Sequence, residues 1–319
     1  MYFYYAKYDI VTTGHFIIAK QGVQMKYLEK HPMIMIVIGV IGISLSSIFV
    51  KFSTAPSAVT AAYRILWTVV LMSPMVFGKK DVRKELFSID KKTALLSALS
   101  GLFLAIHFVV WFESLQLTSV ASSTTIVCTE VIWVSLGFFL FMKGNLSKKA
   151  VLAIAVTIVG SMLIALSDSA SGESHLLGDA LALFAAIASA IYTLIGRNVR
   201  SHVSTSVYTY IVYFVCAVAL IITCIAQGYN IFDYDMSAVI VGLLLAVFST
   251  ILGHSIFSWC LKFFSPSFVS ASKLCEPVVA AIIAAFLFDE IPAIIQIIGS
   301  VIIIFGVYYY SKVERQNNK

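Results

Sequence analysis

Charge is what this sequence has least of. Lys, Arg, Asp and Glu make up 12% of its 319 residues, about half the roughly 25% usual in a soluble domain. Water is therefore not the main solvent for this chain. Disulfide chemistry is also missing: Cys128, Cys216, Cys224, Cys260 and Cys275 all fall inside apolar stretches. No disulfide framework or metal spacing links them, so they read as small hydrophobes. The phosphate loop Gly-x-x-x-x-Gly-Lys is absent, which argues against direct ATP drive within the chain. Neither His-Glu-x-x-His nor Gly-x-Ser-x-Gly occurs, so an intramembrane enzyme would lack the usual metal or nucleophile set. No cofactor, metal or catalytic residue is expected.

What the chain does have is apolar length, with 60% hydrophobic residues. About 20 apolar residues in a helix cross the roughly 30 Å hydrocarbon core of a bilayer. Helices also satisfy their own backbone hydrogen bonds there. The runs predict ten transmembrane helices at 33–52, 57–77, 93–116, 119–141, 148–167, 176–197, 206–226, 237–262, 267–288 and 292–311. They are too long for β-barrel strands and lack period-2 alternation. An all-α, polytopic membrane protein is the expectation.

The net charge of +6 raises the question of a nucleic-acid partner, but its distribution speaks for topology. All but three of the 22 Lys and Arg residues lie in segments that share one side of the membrane if the N-terminus is cytoplasmic. The exceptions, Lys51, Arg64 and Lys273, lie within spans or at their ends, and the opposite loops carry only acids: Asp168, Glu173, Asp233, Asp235, Asp289 and Glu290. The positive-inside rule then places both termini in the cytoplasm of a cell bounded by the plasma membrane. Residues 1–32 form a cytoplasmic segment and 312–319 a cytoplasmic tail. No small-residue cleavage site follows an apolar stretch near the start, so no signal peptide is expected. Met25 begins Met-Lys-Tyr-Leu-Glu-Lys just before the first span. Residues 1–24 therefore read either as a misassigned start or as a segment resting at the membrane surface through its aromatics.

Comparing the chain with itself at a shift of 146 residues brings Ser119 onto Ser265, Glu130 onto Glu276, Ala153 onto Gly299 and Gly160 onto Gly306. His107 meets His254 and Cys128 meets Cys275 at a shift of 147. Spans 3–5 thus repeat as spans 8–10, and spans 1–2 match 6–7 more weakly. The chain divides into five-helix repeats at 33–167 and 176–311. Five is odd, so the second copy is inverted, and in transporters so built the substrate site lies near the midplane at the repeat interface.

Three stretches resemble the drug/metabolite transporter superfamily in its ten-helix EamA-type form. They are Ala58-Val-Thr-Ala-Ala-Tyr-Arg64, Trp111-Phe-Glu-Ser-Leu-Gln-Leu-Thr-Ser119-Val-Ala-Ser-Ser, and Cys275-Glu-Pro277-Val followed by Asp289-Glu290. The likeness covers roughly residues 33–311. It implies an exporter-like carrier with a central cavity lined from both halves, and leaves the substrate open among amino acids, other metabolites and drugs. The halves differ where Val131 faces Pro277 and Lys143-Gly144 faces Asp289-Glu290, which predicts functional inequality.

Ionisable residues inside spans are costly and therefore candidates for function. Glu130 and Glu276 lead, for binding or for proton coupling. Ser119, Ser123, Ile126 and Glu130 make one helical stripe, which predicts that Glu130 faces a cavity. The bland alternative is interhelical hydrogen bonding. Lys273, whose repeat mate is Val127, either binds a substrate carboxylate or pairs with Glu276 or Glu130; pairing one turn away on its own helix would neutralise Glu276. His107 and Trp111 share a face and can shape the cavity, Trp111 by stacking on a cationic substrate; near its span end, Trp111 otherwise serves as an interfacial anchor. Arg64, in the outer half of span 2, is expected to brace helix ends more than to touch substrate. His254 reads as a packing residue that can titrate. Gly39, Gly42 and Ser46 form a small-residue stripe for close helix approach, and Pro277 frees a mid-span carbonyl as a potential hinge.

The leading expectation is a secondary transporter, and specifically an exporter, of a small polar or amphipathic metabolite such as an amino acid. It would work by alternating access with optional proton coupling. Two carboxylates against one lysine favour a zwitterionic or cationic substrate. An intramembrane enzyme acting on lipid or peptide and a channel are the alternatives. Expected partners are the lipid bilayer and a small-molecule substrate, with no nucleic acid; the oligomeric state is left open.

Overall fold

Long apolar runs without strand alternation fold here into helices and nothing else among the described residues. The computed structural model describes residues 29, 31–118, 120–144, 146–168, 176–288 and 294–317. Most of the N-terminal segment, Ser119, Glu173, Asp289, Glu290, Pro292 and Lys319 lie outside them. In chain order the helices are α1 (Pro32–Lys51), α2 (Ser57–Gly78), α3 (Lys80–Ser88), α4 (Lys91–Leu117), α5 (Val120–Cys128), α6 (Glu130–Met142) and α7 (Lys148–Asp168). The second half has α8 (Leu176–Val199), α9 (Thr205–Ala226), α10 (Met236–Leu244), a π-helical segment (Leu245–Ser255) and α11 (Ile256–Cys260). It closes with α12 (Pro266–Lys273), α13 (Glu276–Phe288) and α14 (Ile294–Asn317).

Seven stretches of described helix are long and apolar enough to cross a membrane: 32–50, 57–78, 91–117, 176–199, 205–226, 236–260 and 297–314. The three other expected crossings run as helix too. One is α7, whose 21 residues rise about 31 Å at ~1.5 Å each. The remaining two are not single helices. Span 119–141 divides into α5 and α6 at Thr129, and span 267–288 into α12 and α13 at Leu274–Cys275. At each division the backbone tightens to i→i−3 bonds, with Thr129 N–H donating to Ile126 at 3.0 Å and Leu274 N–H to Ala271 at 3.1 Å. The two breaks fall at matching positions of the two repeats, so the duplication extends to a structural irregularity. Pro277 follows the second break as residue two of α13. A missing N–H costs nothing at a helix start, so the break lies just before the proline, not at a carbonyl it frees.

The short α3 joins spans 2 and 3 and has no buried residue; the sequence reading treats that stretch as a plain connection. Asp90 begins the next helix by accepting from the Thr93 hydroxyl at 2.6 Å and the Thr93 amide at 3.0 Å. These bonds hold its carboxyl below the usual carboxylate range.

Helix packing obeys the repeat. α4 packs extensively on α8, and its exchange partner, the π-containing span, packs on α1. The same span packs on α2, as α4 does on α9. α2–α9 and α7–α14 pair across the repeats with their own mates, and α6 of span 4 meets α12 of the matching span 9, so these pairs surround the pseudo-two-fold axis. At the α7–α14 crossing a Cβ on Gly160 would stand 2.8 Å from the Gly299 carbonyl, and one on Gly306 3.3 Å from the Ala153 carbonyl. Ala153 and Gly299 are themselves repeat mates, so both sides of this crossing use the same small-residue solution. In α1, Gly42 similarly admits the backbone of the π segment at Phe248 and Leu252, as the small-residue stripe predicts.

The polar ties at the ends also come in exchanged pairs. On one side Thr118 donates to Asp179 at 2.8 Å and Thr54 to Asp235 at 3.0 Å. On the other, Lys262 approaches Glu29 at 4.0 Å and the Ser204 amide donates to Glu85 at 2.7 Å.

Replacing Gly160 with Ala is expected to lower the Tm of the purified protein, an overpacking cost of about 1–3 kcal/mol. Gly78→Ala, where nothing lies within 4 Å of the new methyl, is the matched control and should leave Tm unchanged or raised. Equal behaviour of the two variants in a melting experiment would contradict the α7–α14 crossing.

Candidate functional site

Residues of both repeats line a cavity of about 50 Å³. Glu130, Glu276, His107, Trp111, Lys273, Arg64 and His254 all line it. Ser123 does not: it is fully buried and shares a 2.5 Å hydrogen bond with Ser114. The helical stripe that joined it to Glu130 is interrupted at Thr129, which rotates the two halves relative to each other.

Glu130 opens α6 and is 94% buried, given a relative exposure of 6%. Four side chains supply its carboxylate with donors. Lys273 Nζ lies 2.9 and 3.1 Å from the two oxygens. Ser189 donates at 2.8 Å, and Thr193 and Ser270 at 3.0 Å each. The partners come from α8 and α12, so one carboxylate ties three helices across the repeat interface. The helix ends cooperate, since Glu130 lies in the first turn of α6 and Lys273 in the last turn of α12, where the helix dipoles favour those signs. Lys273 therefore pairs across the interface and not with Glu276 on its own span.

Glu276 opens α13 and is nearly as buried, yet no hydrogen bond reaches its carboxyl among the described residues. Arg64 differs most from its sequence reading. Its guanidinium is buried, with Nε donating to Thr250 at 2.8 Å and Nη1 to Ser46 at 3.2 Å, and it lies 4.3 Å from the centre of the Phe108 ring. A long side chain carries it from the outer part of α2 to the cavity wall, so it braces the site instead of a loop. Its acceptor Thr250 belongs to the π segment, a wide helical turn of the kind frequent at functional sites. That segment also carries His254 to the cavity.

The remaining wall is aromatic. His107 receives its orientation from the Ala185 carbonyl, 3.0 Å from Nδ1, and stacks on Trp111 with ring centres 5.8 Å apart. His254 faces His107, Phe108 and Tyr192 at 6.4, 5.4 and 6.2 Å. Trp111 is buried in the bundle, which removes its reading as an interfacial anchor, and its indole N–H has no hydrogen-bond partner. Ser189, Thr193, Ser270 and Thr250 escape the sequence reading, and Ser46 enters it only as a packing residue. Hydroxyls are common in membrane helices, and only packing tells which of them meet a carboxylate or guanidinium.

The sequence profile of the EamA-like transporter family matches residues 31–166 and again 176–312. The chain belongs to the EamA-like transporter family. This is a family of membrane transporters, not of enzymes. Among its relatives, the transporter is 23% identical over 257 residues to an uncharacterized transporter of Clostridium kluyveri, covering 78% of this chain and 82% of that one. It is 28% identical over 185 residues to a probable amino-acid metabolite efflux pump of Escherichia coli K12, covering 55% and 61%. A crystal structure at 13% identity superposes with a TM-score of 0.74 over 91% of this chain and 99% of that one, a likeness in fold.

Breaking the ion pair in this transporter from one side leaves a buried charge behind. Lys273→Met alone is expected to cost on the order of 3 kcal/mol. Adding Glu130→Gln should recover much of that loss, because the uncompensated carboxylate is gone. Thermal unfolding of the two single variants and the double variant reads the coupling; additive losses would show that the two side chains do not interact.

Proposed function

We propose that this transporter is a secondary carrier that exports a small polar or amphipathic metabolite, such as an amino acid, by alternating access. The observation that carries this reading is the position of the cavity. It lies on the pseudo-two-fold axis, walled by mates from both repeats: Glu130 with Glu276, Val127 with Lys273, and His107 with His254. A site on such an axis can be reached from one face in one arrangement and from the other when the two repeats exchange conformations. We take residues 33–167 and 176–311 as the exchanging units, with both termini cytoplasmic in the plasma membrane. The paired polar ties at the two faces suit that exchange, since equivalent bonds hold each side.

Within this reading Glu276, His107, Trp111, Lys273 and Glu130 contact substrate or the coupling ion, while Arg64 and His254 shape the wall and Ser123 supports packing. An amino acid is favoured as the example because the efflux-pump relative bears that description and because the wall combines both charge signs with aromatic rings. Proton coupling falls to Glu276, the acid without hydrogen-bond donors among the described residues.

In proteoliposomes the purified protein should show saturable flux of a metabolite found by thermal-shift screening. It should also show counterflow of labelled against unlabelled substrate. An inward-directed proton gradient should accelerate efflux, and an uncoupler should remove the acceleration. Non-saturating conductance without counterflow would instead identify a channel.

A further inference from the structure

The 146-residue offset that superposes Glu130 on Glu276 also maps Ser270 on Thr124 and Lys273 on Val127. Spans 1 and 6 match less closely, and there the same offset brings Ser189 to Ile43 and Thr193 to Ser47. Helix packing supports that mapping, because α13 rests on α1 as α6 rests on α8. One half of the molecule thus builds a complete anion cage, and the other keeps its frame with the contents removed. Two of the four donors have become hydrocarbon, and Ile43 and Val127 both line the cavity beside Glu276. The other two donate elsewhere or nowhere. Ser47 is turned to the Ser44 carbonyl at 3.5 Å, and the buried Thr124 hydroxyl has no hydrogen-bond partner.

No hydrogen-bond donor reaches that acid among the described residues, so its oxygens are open to a donor from outside the chain. The largest piece missing is the ammonium of Lys273, which Val127 replaces with a smaller, uncharged side chain. In the complete cage that ammonium also faces the Phe257 ring at 5.7 Å. In the incomplete one the cavity wall offers Trp111, the best aromatic face for a cation. Its buried indole N–H is unpartnered as well, and can donate to an acceptor on the same ligand. The fixed charges around the cavity, Glu130 with Lys273 and Arg64 with Glu276, balance before a ligand enters. The first pair is closed internally, and the Arg64 guanidinium is committed to Thr250 and Ser46.

We propose that the transported molecule carries a protonated amine, and that its nitrogen binds at Glu276 in the place that pseudo-symmetry gives to Lys273 Nζ beside Glu130. The substrate completes the second cage as a lysine completes the first. This assignment rests on the carrier reading above and narrows its substrate class to organic cations and amine-bearing zwitterions. It also makes the halves unequal for a stated reason: one cage is closed by the chain and the other by the cargo.

The test uses the full chain in detergent, with methylammonium, n-butylammonium and phenethylammonium as probes and the corresponding alcohols as uncharged controls. Calorimetric titration should find at least one amine bound about tenfold or more tightly than its alcohol. Two variants then locate the site. Glu276→Gln removes the charge with little change of shape. Val127→Lys installs the missing ammonium from the chain itself and should fill the site internally. Both should weaken amine binding by about tenfold or more, while the alcohols bind as before. Should Val127→Lys fail to fold, Glu276→Gln alone decides. Amines bound no better than alcohols, or amine affinity retained in Glu276→Gln, would overturn the proposal. Counterflow measured on the same preparation keeps the two ideas apart: a carrier without amine preference sinks this inference and leaves the carrier reading standing.

Discussion

A charge placed in the hydrocarbon of a bilayer costs about 2.5–3.5 kcal/mol even on the mildest scales, and this transporter brings four of them to one place. Glu130, Lys273, Arg64 and Glu276 converge on a single cavity, and much else in the fold can be understood as the means of holding them there. Hydroxyls from α8 and α12 complete the shell of Glu130. The π segment turns Thr250 toward Arg64, and glycines at Gly42 and Gly160 let the helices approach closely enough for short polar side chains to meet. Breaks in the two central spans put each glutamate at the start of a helix, where the backbone dipole favours a carboxylate.

Symmetry explains the layout of the fold, and departure from symmetry explains its chemistry. Two equivalent repeats related by a membrane-plane axis would place two identical acids at the interface, and nothing would distinguish one from the other. The exchange of a lysine for a valine, and of serine for isoleucine, breaks that equivalence. One carboxylate meets donors from two other helices, and the other lines the same cavity with no hydrogen bond among the described residues.

Much of this was legible in the amino-acid order. Apolar length marked the helices, and two coincident glutamates exposed the duplication. Seven of the eight candidate residues line the cavity. Ser123 does not, because a continuous helical stripe was assumed across Thr129, where the backbone tightens. Arg64 reaches the cavity wall through a long side chain, which depth along the helix does not register. Neither π-helical geometry nor a one-residue break leaves a mark in hydrophobic periodicity, and hydroxyl donors are too common in membrane helices to announce their partners.

Sequence alone determined what depends on composition and on position along the chain: a membrane solvent, the spans, the two copies and the acids they share. Tertiary structure decided what depends on which side chains meet. Lys273 is equally near Glu276 in the chain whichever acid it pairs with, and only the packing of α12 against α6 hands it to Glu130. That choice leaves the second carboxylate without a hydrogen-bond donor among the described residues, because an ion pair is set by distance in space, and distance along a broken helix does not predict it.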